Sequence, residues 1–431
     1  MTKELRVLVN DRELGAVTQL ANGRLRFTYD AEWRSSIDAF PLSLSMPLGV
    51  VEHGHTPITN YLWGLLPDRP SSLEAIASRH KVSVRSAYAL VSAVGEDLAG
   101  SVQMVPPDRL EALKTREGIV QIQEERLARF LDDLVANQGP LQINDDAGFF
   151  SLAGAQAKKA VYWVNGKWYE PRGRTPSTHI IKPPMPNLEG QVENEHFCLS
   201  LANALDLRTC ESSVELIGGK PYIVTARYDR LRIRNGKRVP LTQAGGRVVR
   251  IHQEDMCQAM GIDPSRKYQT DGGPGMQAIM ELLSGSGNPA TDRSRFMRAC
   301  AFNFIILGSD AHGKNFSVLI DSGGRYRLAP LYDINSMLTY DLEKTRKLAM
   351  IIGGEGRWRR VAPIHWEKAA RQCGYPVADA LAHVRDIVLA APDAASTLLK
   401  KCETAGLRSP ALKRLVAQLE RRCASLRKDY T

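Results

Sequence analysis

Asp310, Asn315 and Asp333 are residues of this 431-residue chain whose types and spacing can do chemistry together. An acid, an amide five positions on and a second acid beyond a short hairpin supply one proton acceptor and two hard oxygen donors. Phosphoryl transfer needs that set. One carboxylate orients the attacking hydroxyl, while the amide oxygen and the second carboxylate hold Mg2+ on the nucleotide phosphates. The Asp-x-x-x-x-Asn spacing recurs by chance, and the hairpin and later Asp make it more specific. In the plainer reading Asp310 caps a helix and Asn315 and Asp333 occupy turns, and the spacing alone does not choose between them.

The elements that must position these residues are short. An apolar segment containing Ala301, Phe302, Phe304, Ile305, Ile306 and Leu307 runs into Gly308-Ser309-Asp310. A strand from Phe316 to Ile320, a turn at Asp321-Ser322-Gly323-Gly324 and a return strand from Arg325 to Leu331 then deliver Asp333. The same stretch opens like a Walker A loop, Gly308-x-x-x-x-Gly313-Lys314. Position 315 is Asn rather than Ser or Thr, and helix-like sequence precedes where a strand should, so that reading is set aside.

The length allows two or three domains, and the composition is that of a globular protein. A formal charge of +10 favours acidic partners such as nucleotide, nucleic acid or an acidic protein surface without choosing among them. Seven cysteines without a Cys-x-x-Cys pair read as reduced thiols of a cytoplasmic protein, neither a disulfide frame nor a zinc site. No apolar run has the length of a signal core or a membrane span.

Residues 1 to about 50 alternate like a small antiparallel sheet, and from Tyr61 the pattern turns helical. Residues 78–94 would pass for half of a helix-turn-helix, although Ala87, Leu90, Val91 and Val94 suit an ordinary packed helix. The segment Glu117 to Ala136 reads as a helix joining two lobes. A small-residue loop around Gly154 permits close approach to phosphate and precedes a strand at Ala160 to Val164. His179 to Pro183 is a strand carrying Lys182, and the helix Val192 to Leu205 offers Glu193 or Glu195 as an ion-pair partner for that Lys. Tyr222 to Arg230 is a strand suited to be a hinge, with an ordinary core strand as the alternative. Arg250 to Gly261 reads as a capped helix, and Lys267 to Gly275 as a loop, ordered or mobile. The basic C-terminal segment, Leu412 to Lys428, is an amphipathic helix.

Taken in order, Ser151 to Lys158, His179-Ile180-Ile181-Lys182-Pro183, Glu193 to Cys198, Arg227-Tyr228-Asp229-Arg230, Gln253-Glu254-Asp255 with Asp271-Gly272-Gly273-Pro274-Gly275, Asp310 to Ser317, and Leu331-Tyr332-Asp333 resemble the HipA family of serine/threonine kinase toxins. The resemblance covers nearly the whole chain. It implies an α+β, two-lobed protein-kinase-like fold with a small β-rich N-terminal subdomain and a mostly helical C-terminal lobe. The expected divisions are 1–107 for the subdomain, 108–240 for the rest of the smaller lobe and 241–431 for the helical lobe.

Carried over residue by residue, the resemblance makes Asp310 the catalytic base and Asn315 and Asp333 the Mg2+ ligands. ATP would be held by Ala153, Gly154, Ala155, Gln156, Ala157, Lys158, Lys182, Ala226, Arg227, Tyr228, His312, Lys314, Asn315 and Asp333. Ser151 falls at the family's autophosphorylated position. The implied substrate is an aminoacyl-tRNA synthetase, and the implied partner a HipB-like helix-turn-helix antitoxin that carries the complex to operator DNA, with no membrane role. Ala157 and Ala226 depart from the Glu found at these positions in many or some members. A catalytically weak corepressor and a small-molecule kinase are the alternative functions.

Overall fold

The computed structural model describes residues 3–137, 154, 156–186, 188–340 and 347–430. Ser151, Ala153 and Ala155 lie outside them. The fold is α+β. Two compact units are present, one formed by Met1–Pro183, Glu215–Ser265 and Val318–Tyr326, the other by Pro184–Val214, Arg266–Ser317 and Arg327–Thr431. Pro184–Val214, inside the range expected for the rest of the smaller lobe, therefore groups with the second unit.

The first unit begins with a five-stranded antiparallel sheet built on Lys3–Val9, Arg12–Gln19 and Leu25–Tyr29. Leu5, Val7 and Val9 on one strand and Leu25, Phe27 and Tyr29 on another are buried, as strand alternation requires. The helices His55–Gly64 and Ala87–Val94 cover that face. Six of the eight residues of Ala87–Val94 are buried, which leaves this helix without a face for reading bases.

A second, six-stranded sheet includes Lys220–Ala226, His179–Lys182, Lys159–Val164, Lys167–Pro171 and Ile119–Gln121. The expected single helix from Glu117 is thus a strand, Ile119–Gln121, followed by a helix, Glu124–Asn137. Leu127, Phe130, Leu131 and Leu134 of that helix pack with Val161, Ile181 and Val224, so the segment covers this sheet rather than serving as a connector. The capped helix expected from Arg250 is confined to Met256–Ala259, because Asp255 accepts the Gln258 N–H at 2.9 Å and starts the helix there. His252–Asp255 before it is a buried strand.

An ionic cluster ties the chain after the strand Lys220–Ala226 to Asp97. Asp97 is fully buried and accepts from Arg230 at 2.9 Å, Arg250 at 3.1 Å, Arg227 at 3.2 Å and the Ser177 N–H at 3.1 Å. Burial alone would raise its pKa, but the guanidiniums of Arg230, Arg227 and Arg250 and the Ser177 hydroxyl hold it well below the usual carboxylate range.

In the second unit the helices Pro289–Ile306, Pro363–Gln372, Val377–Thr404 and Pro410–Tyr430 predominate. A hairpin the sequence did not announce, Lys347–Ile352 with Glu355–Arg357, turns at Gly353 and Gly354 in positive φ. Among the described residues no helix is long and apolar enough to cross a membrane. All seven cysteines are buried free thiols.

Asp97→Ala should destabilise the protein by about 3–5 kcal/mol in urea unfolding, because it strands buried guanidiniums without their counter-charge. Glu254 behaves oppositely. Burial, only partly offset by the Leu44 N–H and the Ser43 hydroxyl, pushes its pKa up to about 8. Between roughly pH 4.3, where an unfolded Glu ionises, and about pH 8 the folded chain keeps a proton that the unfolded chain releases, so stability falls as pH rises through that window. Glu254→Gln, which cannot ionise and keeps an acceptor for Leu44, should stabilise the protein by roughly 2–4 kcal/mol at pH 8.5 and by little at pH 4; thermal unfolding at both values checks this.

Candidate functional site

The helix Pro289–Ile306 ends in a turn that sets the direction of the next segment. Leu307 adopts φ 55°, and the Leu307 and Gly308 N–H groups donate to the Phe304 and Asn303 carbonyls at 3.4 and 2.7 Å. This is a Schellman turn with leucine where glycine is usual. A bulky residue there is strained by about 1–2 kcal/mol, and Leu307 is completely buried, which offsets it. Gly308 has no alternative, since a Cβ would stand 2.4 Å from Asn303 Oδ1.

The chain then enters the loop that carries Asp310. The Asp310 carbonyl accepts the His312 N–H at 2.8 Å and the Asn315 Nδ2 at 3.0 Å, and the His312 carbonyl accepts the Asn315 N–H at 2.9 Å. A planar amide whose nitrogen is turned inward to a carbonyl turns its oxygen away from it. Asn315 Oδ1 is thereby presented as a donor to a cation. The Asp310 carboxylate is exposed and accepts the Tyr268 hydroxyl at 2.7 Å on Oδ1.

Asp333 arrives by a different route. Leu331 exchanges backbone hydrogen bonds with Arg208 and Cys210, both 2.9 Å, and the Tyr332 hydroxyl donates to the Lys314 carbonyl at 2.7 Å. Asn315 and Asp333 thus each stand one residue from a shared bond. Asp333 takes φ 56°, a conformation an aspartate tolerates better than most residues. The segment beyond it is tied back to the helix end, with Ser336 Oγ donating to the Ile306 carbonyl at 2.6 Å and the Met337 N–H to that of Leu307 at 3.1 Å. His312 and Lys314 lie largely buried in this loop.

The other expected residues belong to the first unit. Lys182 ends the strand His179–Lys182, opposite Ile223 of the strand Lys220–Ala226. Gly154 takes φ 112°, its carbonyl accepts the Asp68 N–H at 3.1 Å, and an added Cβ would lie 2.5 Å from the Lys158 amine. Gln156 Nε2 donates to the Pro183 carbonyl at 2.8 Å, and Ala157 packs on the sheet core. Ala226 and Tyr228 are half-buried, with the Tyr228 hydroxyl donating to Gln253 Oε1 at 2.7 Å.

Arg227 requires a correction. Its five side-chain N–H donors go to Asp229, Asp97, Ser177 and the Leu98 carbonyl, and its backbone N–H to Thr178. The residue is a strut of the buried ionic cluster, which takes its side chain out of the adenine contacts expected of it. Of the glutamates considered as partners for Lys182, Glu193 is half-buried and Glu195 fully buried in the second unit.

Tyr268, two residues removed from the glycine-rich Asp271 to Gly275, was not among the expected site residues, yet its hydroxyl reaches Asp310. The loop it begins is ordered. The Tyr268 carbonyl accepts the Asp271 and Gly273 N–H groups at 3.0 and 2.9 Å, and the Lys267 carbonyl accepts that of Gly313 at 3.1 Å. Gln269 Oε1 accepts the Ile351 N–H at 2.7 Å.

The donor set suits a hard divalent cation, since an amide oxygen and one carboxylate are what Mg2+ takes beside phosphate and water. No cluster of three or more His, Cys, Asp or Glu able to hold a metal occurs among the described residues, so the set presents no all-protein cage.

Comparison with known proteins places the chain in a family. Residues 5–105 match the HipA N-terminal domain and residues 150–395 the HipA-like C-terminal domain. Y4mE of Sinorhizobium fredii, provisionally named a kinase, is 35% identical over 86% of each chain. The serine/threonine-protein kinase toxin HipA of Shewanella oneidensis is 29% identical over 76% of this chain and 73% of its own. A chain from the solved complex of Shewanella oneidensis HipA, HipB and operator DNA shares the fold, with a TM-score of 0.82 at 24% identity, over 98% of this chain and 99% of that one. The chain belongs to the HipA family of serine/threonine-protein kinases.

Proposed function

We propose that this protein transfers the γ-phosphate of ATP to a serine or threonine hydroxyl of another protein, as the toxin of a toxin–antitoxin pair. The observation that carries the reading is the inward-turned amide of Asn315, which braces the Asp310 backbone with its nitrogen and leaves its oxygen for a cation. Asp310 accepts the proton of the substrate hydroxyl as that oxygen bonds to the γ-phosphorus, and the bond from phosphorus to the β–γ bridging oxygen breaks to release ADP. Asn315 and Asp333 would hold Mg2+, which when bound would supply charge neutralisation on the phosphates. Lys182, with Gly154 to Lys158, takes the phosphates, and Ala226 with Tyr228 the adenine; His312 and Lys314 support the loop from within.

Ser151 is the proposed site of self-modification, and it lies outside the described residues. A phosphate at the mouth of a phosphate-binding loop would oppose nucleotide binding. The substrate in this reading is an aminoacyl-tRNA synthetase, whose phosphorylation arrests growth in the cytoplasm. The partner is a helix-turn-helix antitoxin of the HipB kind; support comes from the neighbouring fold, solved with HipB and operator DNA.

Asp310→Asn should abolish phosphate transfer while thermal stability and ATP affinity change little. Intact-mass and phosphopeptide analysis after incubation with Mg-ATP checks it, and turnover by the variant would move the base elsewhere. Asp333→Ala should weaken ATP binding about tenfold or more when Mg2+ is present and little when it is chelated; calorimetric titration under both conditions separates a metal role from a structural one.

A further inference from the structure

We propose that Tyr268 is a positioning residue for phosphoryl transfer: its hydroxyl fixes the rotamer of the Asp310 carboxylate, engaging Oδ1 and leaving Oδ2 to face the incoming hydroxyl. The inference rests on the role given to Asp310 above. An exposed aspartate on a loop has several accessible rotamers, and choosing one has an entropic cost. A donor held at 2.7 Å removes that freedom in advance, because a hydrogen bond to a carboxylate is stronger than one between neutral groups.

The phenol can do this only if it is itself held, and the structure supplies four restraints. The Tyr268 ring stands edge-on to the His312 ring, centroids 5.0 Å apart at 82°, so the donor packs against the loop it serves. Its own carbonyl closes the turn through Asp271 and Gly273, and the carbonyl before it receives Gly313. The next side chain, Gln269, is bonded to the strand Lys347–Ile352. The glycines make this tightness possible, since a Cβ on Gly273 would meet the Arg266 carbonyl at 2.1 Å and one on Gly275 would meet Gln269 at 2.5 Å.

The loop Lys267–Gly275 is therefore a fixed template placed against the catalytic loop, and Tyr268 is its point of delivery. A carboxylate aimed before the substrate arrives contributes through orientation, an effect of about 10- to 100-fold for misplacements of this size. Removing the hydroxyl should act on turnover and leave nucleotide binding alone.

Tyr268→Phe keeps the ring and its packing on His312 and removes only the O–H. In ADP release from Mg-ATP, kcat should fall about 10- to 100-fold with KM for ATP and the melting temperature unchanged. An unchanged kcat, or a loss matched by a fall in melting temperature, overturns the proposal. Crystal structures of wild type and Tyr268→Phe give a reading independent of turnover. Asp310 should occupy one rotamer in the first and several, or a different one, in the second, and the same single rotamer in both refutes the idea. A wild-type protein that releases no ADP would defeat the kinase reading, while the rotamer comparison would still decide whether Tyr268 orients Asp310.

Discussion

The carbonyl end of the helix Pro289–Ile306 is the constraint on which the second unit depends. A helix leaves its last carbonyls without partners inside itself, and a buried one must find donors elsewhere. Here three separated pieces of chain provide them. Gly308, entering the loop of Asp310, takes Asn303; Ser336 and Met337, beyond Asp333, take Ile306 and Leu307; Arg422 of the last helix takes Phe304 and Ile305, each at 2.8 Å. One electrostatic need thereby assembles the loop of Asp310, the segment of Asp333 and the C-terminal helix. The guanidinium of Arg422 also lies over the rings of Phe304 and Trp358, at 4.8 and 4.6 Å from their centroids. The basic character of the last helix is thus partly structural, with one half-buried cation capping the carbonyl end of Pro289–Ile306.

The first unit solves a similar problem with ions. The strand Lys220–Ala226 leaves its sheet at Ala226, and the next residues carry two arginines and an aspartate into a buried setting. Asp97, from the N-terminal subdomain, supplies the compensating charge, with Arg250 completing the cluster from a third stretch. Such a cluster adds little net stability over apolar packing, but it is demanding in geometry. It sets where the chain around Ala226 and Tyr228 runs.

The residues legible in the sequence were those whose chemistry is visible in their type. Asp310, Asn315 and Asp333 stood out because acids and amides flanking a hairpin suggest cation and proton chemistry, and the strand bearing Lys182 was an apolar run ended by a cation. What stayed hidden depended on partners distant in the chain. Arg227 reads as a hinge residue until Asp97, 130 positions earlier, is seen beside it. Tyr268 is 42 positions from the carboxylate it touches, and no local pattern joins them. His252–Asp255 looked helical because its polar residues suit a capped start, yet His252 bonds the Leu42 carbonyl and Glu254 the Leu44 N–H, holding the segment extended. Tertiary partners overrode local preference there.

Asn315 shows how narrow the chemistry of one side chain can be. Its nitrogen donates to a carbonyl while its oxygen is offered outward, so it works only as a residue with both a donor and an acceptor on one planar group. Hydrolysis of that amide by slow deamidation would leave an aspartate, isosteric and nearly equal in mass. The product would set a carboxylate oxygen against the Asp310 carbonyl where a donor had been, and repulsion would replace the tether. A protein aged in this way would keep its helices and its core while losing the brace on the Asp310 backbone, a change that far-ultraviolet spectroscopy would not register.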